Sequence, residues 1–310
     1  MTTTHTYNAY LGEIACKQLI VARLRSHADA QHLETKKMAW QAETGAGSPY
    51  GLALQSTDES LVVSNLGMPV AVARLQEAVF GGCRVIHWKD SRMAQVVTAA
   101  SAVHLPLQWF ESIAVGADLS KLPSRFAQAL LRWLVGGEQA MLTNLDAEVR
   151  VLIASLSELH EGAAANIAIP DAQWTATRQH AMQVTDAARN SASQVVATFA
   201  EAIAWPDSEA SSTLPSAVDA LANDLSALVR QSFFSPDEQA LRDAAQQAIQ
   251  RLGTSAAKVT PDDFGKLPEV QAVSSPDWMQ RERQALDGAM NTLSQVAQQW
   301  HALLIGCLPA

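Results

Sequence analysis

The chain has 310 residues, 48% of them apolar and 17% charged, with a net charge of −9. That length holds two domains or one large helical one, and the Ala-rich, weakly charged composition fits closely packed helices better than disorder. Three cysteines without a Cys-x-x-Cys pair exclude a disulfide framework, and the sequence has no run of 18 apolar residues to span a membrane.

Residues 8–34 read as a first helix, with Ile14, Leu19, Ile20, Val21 and Leu24 on one broad face. Residues 44–69 are rich in Gly and Pro, and within them Tyr50–Gln55 and Ser60–Ser64 read as a short hairpin or two irregular turns. Val70–Phe80 is a helix with Val72, Leu75 and Val79 inward, ending at Gly81-Gly82. Val85–Trp88 is a short strand or the lead into a helix over Ser91–His104. Pro106 and Pro123 bracket a loop that contains Trp109-Phe110-Glu111, and Ser124–Val135 is helical.

From residue 138 the pattern becomes regular. A helix over Glu138–His160 is followed by one of about 34 residues over Pro170–Trp205, roughly 50 Å long. Ser208–Pro215 reads as a linker. Ser216 with Asp219, and Ser235 with Glu238, have capping-box spacing for helices to about Arg230 and Leu252. A connection over 254–275 carries one short turn at Asp262-Asp263-Phe264. The last helix, Trp278–Leu308, repeats Met279, Leu286, Leu293 and Trp300 at seven. Pro-Asp pairs at 170, 206, 236, 261 and 276 punctuate this half. Proline suits a helix's first turn and the carboxylate faces the positive end of the dipole. The expected fold is therefore mainly α: a bundle with long antiparallel helices over 136–310, and an irregular, mostly helical module over 1–135 with at most a short hairpin.

Charge divides the same way. Residues 1–135 hold 12 Lys/Arg and 10 Asp/Glu, giving +2, and residues 136–310 hold 10 and 21, giving −11. An acidic half repels nucleic-acid phosphates and suits a basic protein partner. Met1–His5 has no basic n-region leading into an apolar stretch, so the expected location is cytoplasmic.

Catalytic motifs are missing from the sequence. It contains no Gly-x-Ser-x-Gly and no Gly-x-x-x-x-Gly-Lys, and Gly45–Pro49 lacks the lysine of a phosphate loop. Glu158-Leu159-His160-Glu161 has the wrong spacing for a di-iron bundle, and His27 and His32 are five apart, so neither a metal nor another cofactor is expected. The candidate ligand-binding residues are Arg74, Glu77, His87, Trp109, Glu111 and Asp118. Arg74 and Glu77 have intrahelical ion-pair spacing, Trp109 and Glu111 share a Pro-bracketed loop, and Glu77 or Glu111 is the acid/base candidate.

Residues 11–134 resemble a family of uncharacterised bacterial and phage-encoded proteins. The matching words are Ala22–Ala30, Leu66-Gly67-Met68-Pro69, Ala73–Phe80 and Phe110–Ser120. The resemblance implies a module over this stretch and no activity. The leading functional expectation is a non-enzymatic helical protein, monomeric or homodimeric, that binds another protein. The alternatives are a small-ligand binder or enzyme with a pocket near Arg74, Glu77 and Glu111, and an acidic nucleic-acid mimic in host–phage conflict.

Overall fold

Four of the five Pro-Asp pairs stand where a helix begins, and the fifth, Pro261-Asp262, lies outside the described residues. The computed structural model describes residues 7–89, 94–137, 139–255 and 265–309. The fold is mainly α. The helices are α1 (Ile14–Asp29), α2 (Pro49–Leu54), α3 (Ser60–Leu66), α4 (Val70–Gly81), α5 (Leu105–Ser112), α6 (Leu122–Val135) and α7 (Ala147–Ala164). They continue as α8 (Asp171–Ala187), α9 (Ser191–Ile203), α10 (Asp207–Gln231), α11 (Pro236–Ser255), α12 (Pro268–Ala272) and α13 (Pro276–Gly306). Beside them the described residues form three short 3-10 turns and two antiparallel strand pairs: β1 (Trp40–Gln41) with β2 (Ala46–Gly47), and β3 (Arg84–Trp88) with β4 (Ala94–Thr98). No described helix is long and apolar enough to cross a membrane.

Several elements differ from the sequence expectation, each for a local reason. The first helix is shorter, and only Ile20, Leu24 and Ala28 are buried on it, while Ile14 and Leu19 face out. Tyr50–Gln55 and Ser60–Ser64 are helical rather than hairpin strands. Ser48 accepts the Gly51 N–H and Pro49 occupies the first turn of α2, which together start a helix. The described part of Ser91–His104 is the strand β4 and a 3-10 turn, since Val96-Val97-Thr98 is β-branched and pairs with Ile86, Val85 and Arg84 of β3. Trp109, Phe110 and Glu111 lie on α5, whose first turn holds Pro106.

The helix expected from 138 begins only at Ala147. The long helix expected over Pro170–Trp205 is two, α8 and α9, packed on each other. Asn190 caps α9 by accepting the Ser193 N–H at 2.8 Å, and Asp146 accepts the Arg189 N–H at 2.9 Å, so the break is held from both sides. Ser208–Pro215 belongs to α10, which carries Pro215 inside it. Asp219 pairs with Lys37 rather than capping Ser216. The Ser235–Glu238 box is present: Ser235 N–H donates to Glu238 at 2.8 Å and Glu238 N–H to the Ser235 hydroxyl at 3.4 Å. The turn expected at 262–264 lies outside the described residues.

The packing resolves into two compact units, residues 1–225 with 293–310, and residues 226–292. In the first, α1 packs on α2 and α5, α6 on α7, and α7 on α8 and α9. Its core holds Trp109, Trp174 and Trp300, with Trp133 edge-on to Trp300 at 5.6 Å. In the second, Phe234 stacks on Trp278 at 5.8 Å and the Arg242 guanidinium lies 4.5 Å over the Phe234 ring.

Candidate functional site

Helix α4 is buried nearly all round, and this carries the polar Gln76 and Glu77 into the core with Val72, Leu75 and Phe80. A lone carboxylate there costs several kcal/mol unless donors meet it. Glu77 meets them in the segment just before and within α2. One oxygen accepts the Met38 N–H at 2.7 Å and the other the Tyr50 N–H at 3.1 Å, with the Ser48 hydroxyl as a third partner. Burial nevertheless dominates and pushes the Glu77 carboxyl up to about 7, against the pull of these donors.

The Ser48 hydroxyl also accepts the Ala39 and Gly51 N–H groups at 2.9 and 3.2 Å. The Ala39 carbonyl accepts the Ser48 N–H at 2.8 Å and lies so close that a Cβ on Gly47 or Gly51 would stand 2.3 or 1.9 Å from it. That approach is the reason for glycine at both positions. Tyr50 carries the network on: its hydroxyl accepts the Trp109 indole N–H at 3.1 Å, and the Tyr50 and Phe110 rings lie 4.9 Å apart. Tyr10, buried beside them, donates its hydroxyl to the Phe110 carbonyl. Burial raises both phenols well above the usual tyrosine range, so both remain neutral hydrogen-bonding groups.

The six sequence candidates do not converge. Arg74 points outward and pairs with Glu59 of the α3 region, so the expected Arg74–Glu77 pair is replaced by two unconnected contacts. Glu111 is exposed and pairs with Arg25 at 2.7 Å, while its backbone carbonyl accepts from Lys17 at 2.7 Å. Asp118 is exposed and accepts the Ser120 N–H at 2.9 Å in a local turn. Trp109 is fully buried. Glu77 and Trp109 alone share a network, through Tyr50.

Two clefts in the first unit border these groups. One, of 560 Å³, has exposed His87 with Gln95 and Thr98 on one side and Glu34 and Lys36 on the other. The other, of 240 Å³, has Glu77 in its lining, with Lys37, Arg84, Asp219 and Asn223. There Arg84 donates to Asn223 at 2.9 Å and Lys37 to Asp219. Among the described residues no group of three or more His, Cys, Asp or Glu is arranged to hold a metal ion. Sequence reasoning did not place Ser48, Tyr50, Lys37 or Asp219 at the site, and it read Asp219 as a capping residue. A signal existed for the first, because Ser-Pro ahead of an apolar run is a helix-start signature. No local signal points to Lys37 and Asp219, which are 182 residues apart. In comparisons with family models, curated proteins and solved structures, nothing matches this chain.

Proposed function

We propose that the chain is a non-enzymatic helical protein that binds another protein, and that a basic, amphipathic partner docks on the acidic stretch 136–225. The observation that carries this reading is the outward composition of α7 and α8. On α7, Glu148, Val151 and Glu158 follow helical spacing along one exposed face, with Val151 60% exposed. On α8, Asp171, Met182 and Asp186 do the same, with Met182 50% exposed. Each helix thus displays an apolar side chain between two carboxylates. Residues 136–225 contain 3 Lys/Arg and 12 Asp/Glu. Such a surface favours a partner with basic residues around an apolar stripe, and it makes the encounter salt-sensitive.

The test is affinity capture on the immobilised full-length chain from an extract of its native source, beside the variant E148K/E158K/D171K/D186K. A captured protein that the variant loses, and that weakens at least tenfold as salt is raised, is the expected result. A protein held equally by the variant would remove this face from the proposal. A small-ligand reading has one observation in its favour, the Glu77 cleft with Lys37 and Arg84. Native mass spectrometry of the purified chain separates the two, since a ligand retained in that cleft adds mass that Lys37→Ala with Arg84→Ala abolishes. The resemblance of residues 11–134 to uncharacterised bacterial and phage-encoded proteins enters this proposal as a shared module, with no activity attached.

A further inference from the structure

At the end of α1 two imidazoles are brought nitrogen to nitrogen. His27 lies in the last turn of the helix. Gln31 then takes a left-handed conformation, φ 56°, and turns the chain sharply enough that the His32 N–H donates to the His27 carbonyl at 3.0 Å. The Nδ1 atoms of the two half-buried histidines stand 3.5 Å apart, with ring centroids 5.8 Å apart and planes tilted by 45°. For a hydrogen bond between rings this is long, since good ones centre near 2.9–3.0 Å.

As the span between two ligands of one metal ion it is ordinary. Two metal–nitrogen bonds of about 2.05 Å that span 3.5 Å subtend about 117°, near the tetrahedral and trigonal values. We propose that His27 and His32 form a two-imidazole site for a borderline divalent cation of the zinc, nickel or copper class. Imidazole suits these ions, whereas calcium and magnesium prefer oxygen.

The surroundings are those of supported ligands. His27 hydrogen-bonds the Gly45 backbone, and the Trp40 ring packs edge-on against it at 5.9 Å. A backbone contact of this kind fixes the orientation of a ligating ring. Gly45, at φ 69° in the β1–β2 turn, keeps space open beside His32: a Cβ there would lie 3.2 Å from the His32 Nδ1. Arg23, the nearby cation that opposes binding, is committed to the Ala53 carbonyl at 2.5 Å. Among the described residues no third His, Cys, Asp or Glu joins the pair, so the remaining coordination positions fall to water.

The experiment is titration of the full-length, metal-free chain with Zn2+ alone by calorimetry, with the variants His27→Ala, His32→Ala and, as a control, His87→Ala. One ion per chain is expected, weakened at least tenfold by either of the first two changes and unmoved by the third. A second measurement needs no variant: electron spin-echo spectroscopy of the wild-type chain with one equivalent of Cu2+ is expected to show modulation from two imidazoles. Zinc affinity unchanged in both alanine variants, or a copper spectrum with one imidazole or none, overturns the proposal.

Discussion

The two units hold a buried and a half-buried acid by different means. In residues 226–292, Glu282 receives Arg230 at 2.5 Å and Arg242 at 2.7 Å, and all three side chains keep between a fifth and two fifths of their surface in water. Around them Phe233, Leu241, Ile249 and Met279 remain exposed. In the first unit, Glu77 is 1% exposed and meets only neutral donors, two backbone N–H groups and a hydroxyl. A guanidinium pair near water is screened and replaceable, whereas backbone dipoles in a dry core have no other partner. The Glu77 network is therefore expected to open only with the whole fold, and the small unit to open locally.

The largest expected effect breaks the comparison at its strong end. Glu77→Leu leaves the Met38 and Tyr50 N–H groups buried without an acceptor and is expected to cost roughly 3–5 kcal/mol in denaturant unfolding. Glu282→Leu is expected to cost about 1 kcal/mol, with the loss shrinking in high salt and hydrogen exchange quickening within 226–292 only. Equal costs for the two substitutions would erase the distinction.

A pH series sharpens it. Glu77, raised to about 7 from an ordinary 4.5, contributes stability that is complete below pH 4.5 and lost as pH rises through 7. Burial holds His301 down to about 4 from 6.5, against the opposing pull of its hydrogen bond to the Leu105 backbone. Its contribution is complete above pH 6.5 and lost as pH falls through 4. Each amounts to about 3 kcal/mol at 1.36 kcal/mol per pH unit, and between pH 4.5 and 6.5 they run in opposite directions. The wild-type chain is therefore expected to unfold with nearly constant stability across that window. Glu77→Leu should unmask a stability that rises with pH, and His301→Leu one that falls. A steep wild-type slope, or slopes that the two variants leave alone, would contradict the assignment.

How much of this was legible beforehand depended on whether the deciding contact was local. The Pro-Asp starts of α8, α10, α11 and α13 and the Ser235–Glu238 box are settled within four residues, and chain order alone reveals them. The break between α8 and α9 is partly local, through Asn190, but it is completed by Asp146, 43 residues earlier. The mainly helical class was legible because apolar periodicity reports it directly. Of the candidate site, Glu77 was found and its role was not. Spacing offered Arg74 as its partner, and tertiary packing gave Arg74 to Glu59 and Glu77 to the backbone around α2. The composition shift near residue 136 does not coincide with the boundaries at 225 and 292, because α6 and α7 pack together across it.

The smallest effect concerns the neighbour of Glu77. Gln76 is fully buried on α4, and neither its carbonyl oxygen nor its amide nitrogen has a hydrogen-bond partner among the described residues. Glutamine and methionine have nearly the same length and shape, and methionine asks for no partner. Removing an unsatisfied buried polar group while keeping its volume is stabilising, by about 1 kcal/mol here. Gln76→Met is therefore expected to raise the thermal midpoint by a few degrees, an upward shift beside the large loss predicted one residue away. If Gln76→Met instead destabilises the chain, the amide is engaged, and the polar network of α4 extends beyond Glu77 toward the opposite face of the helix.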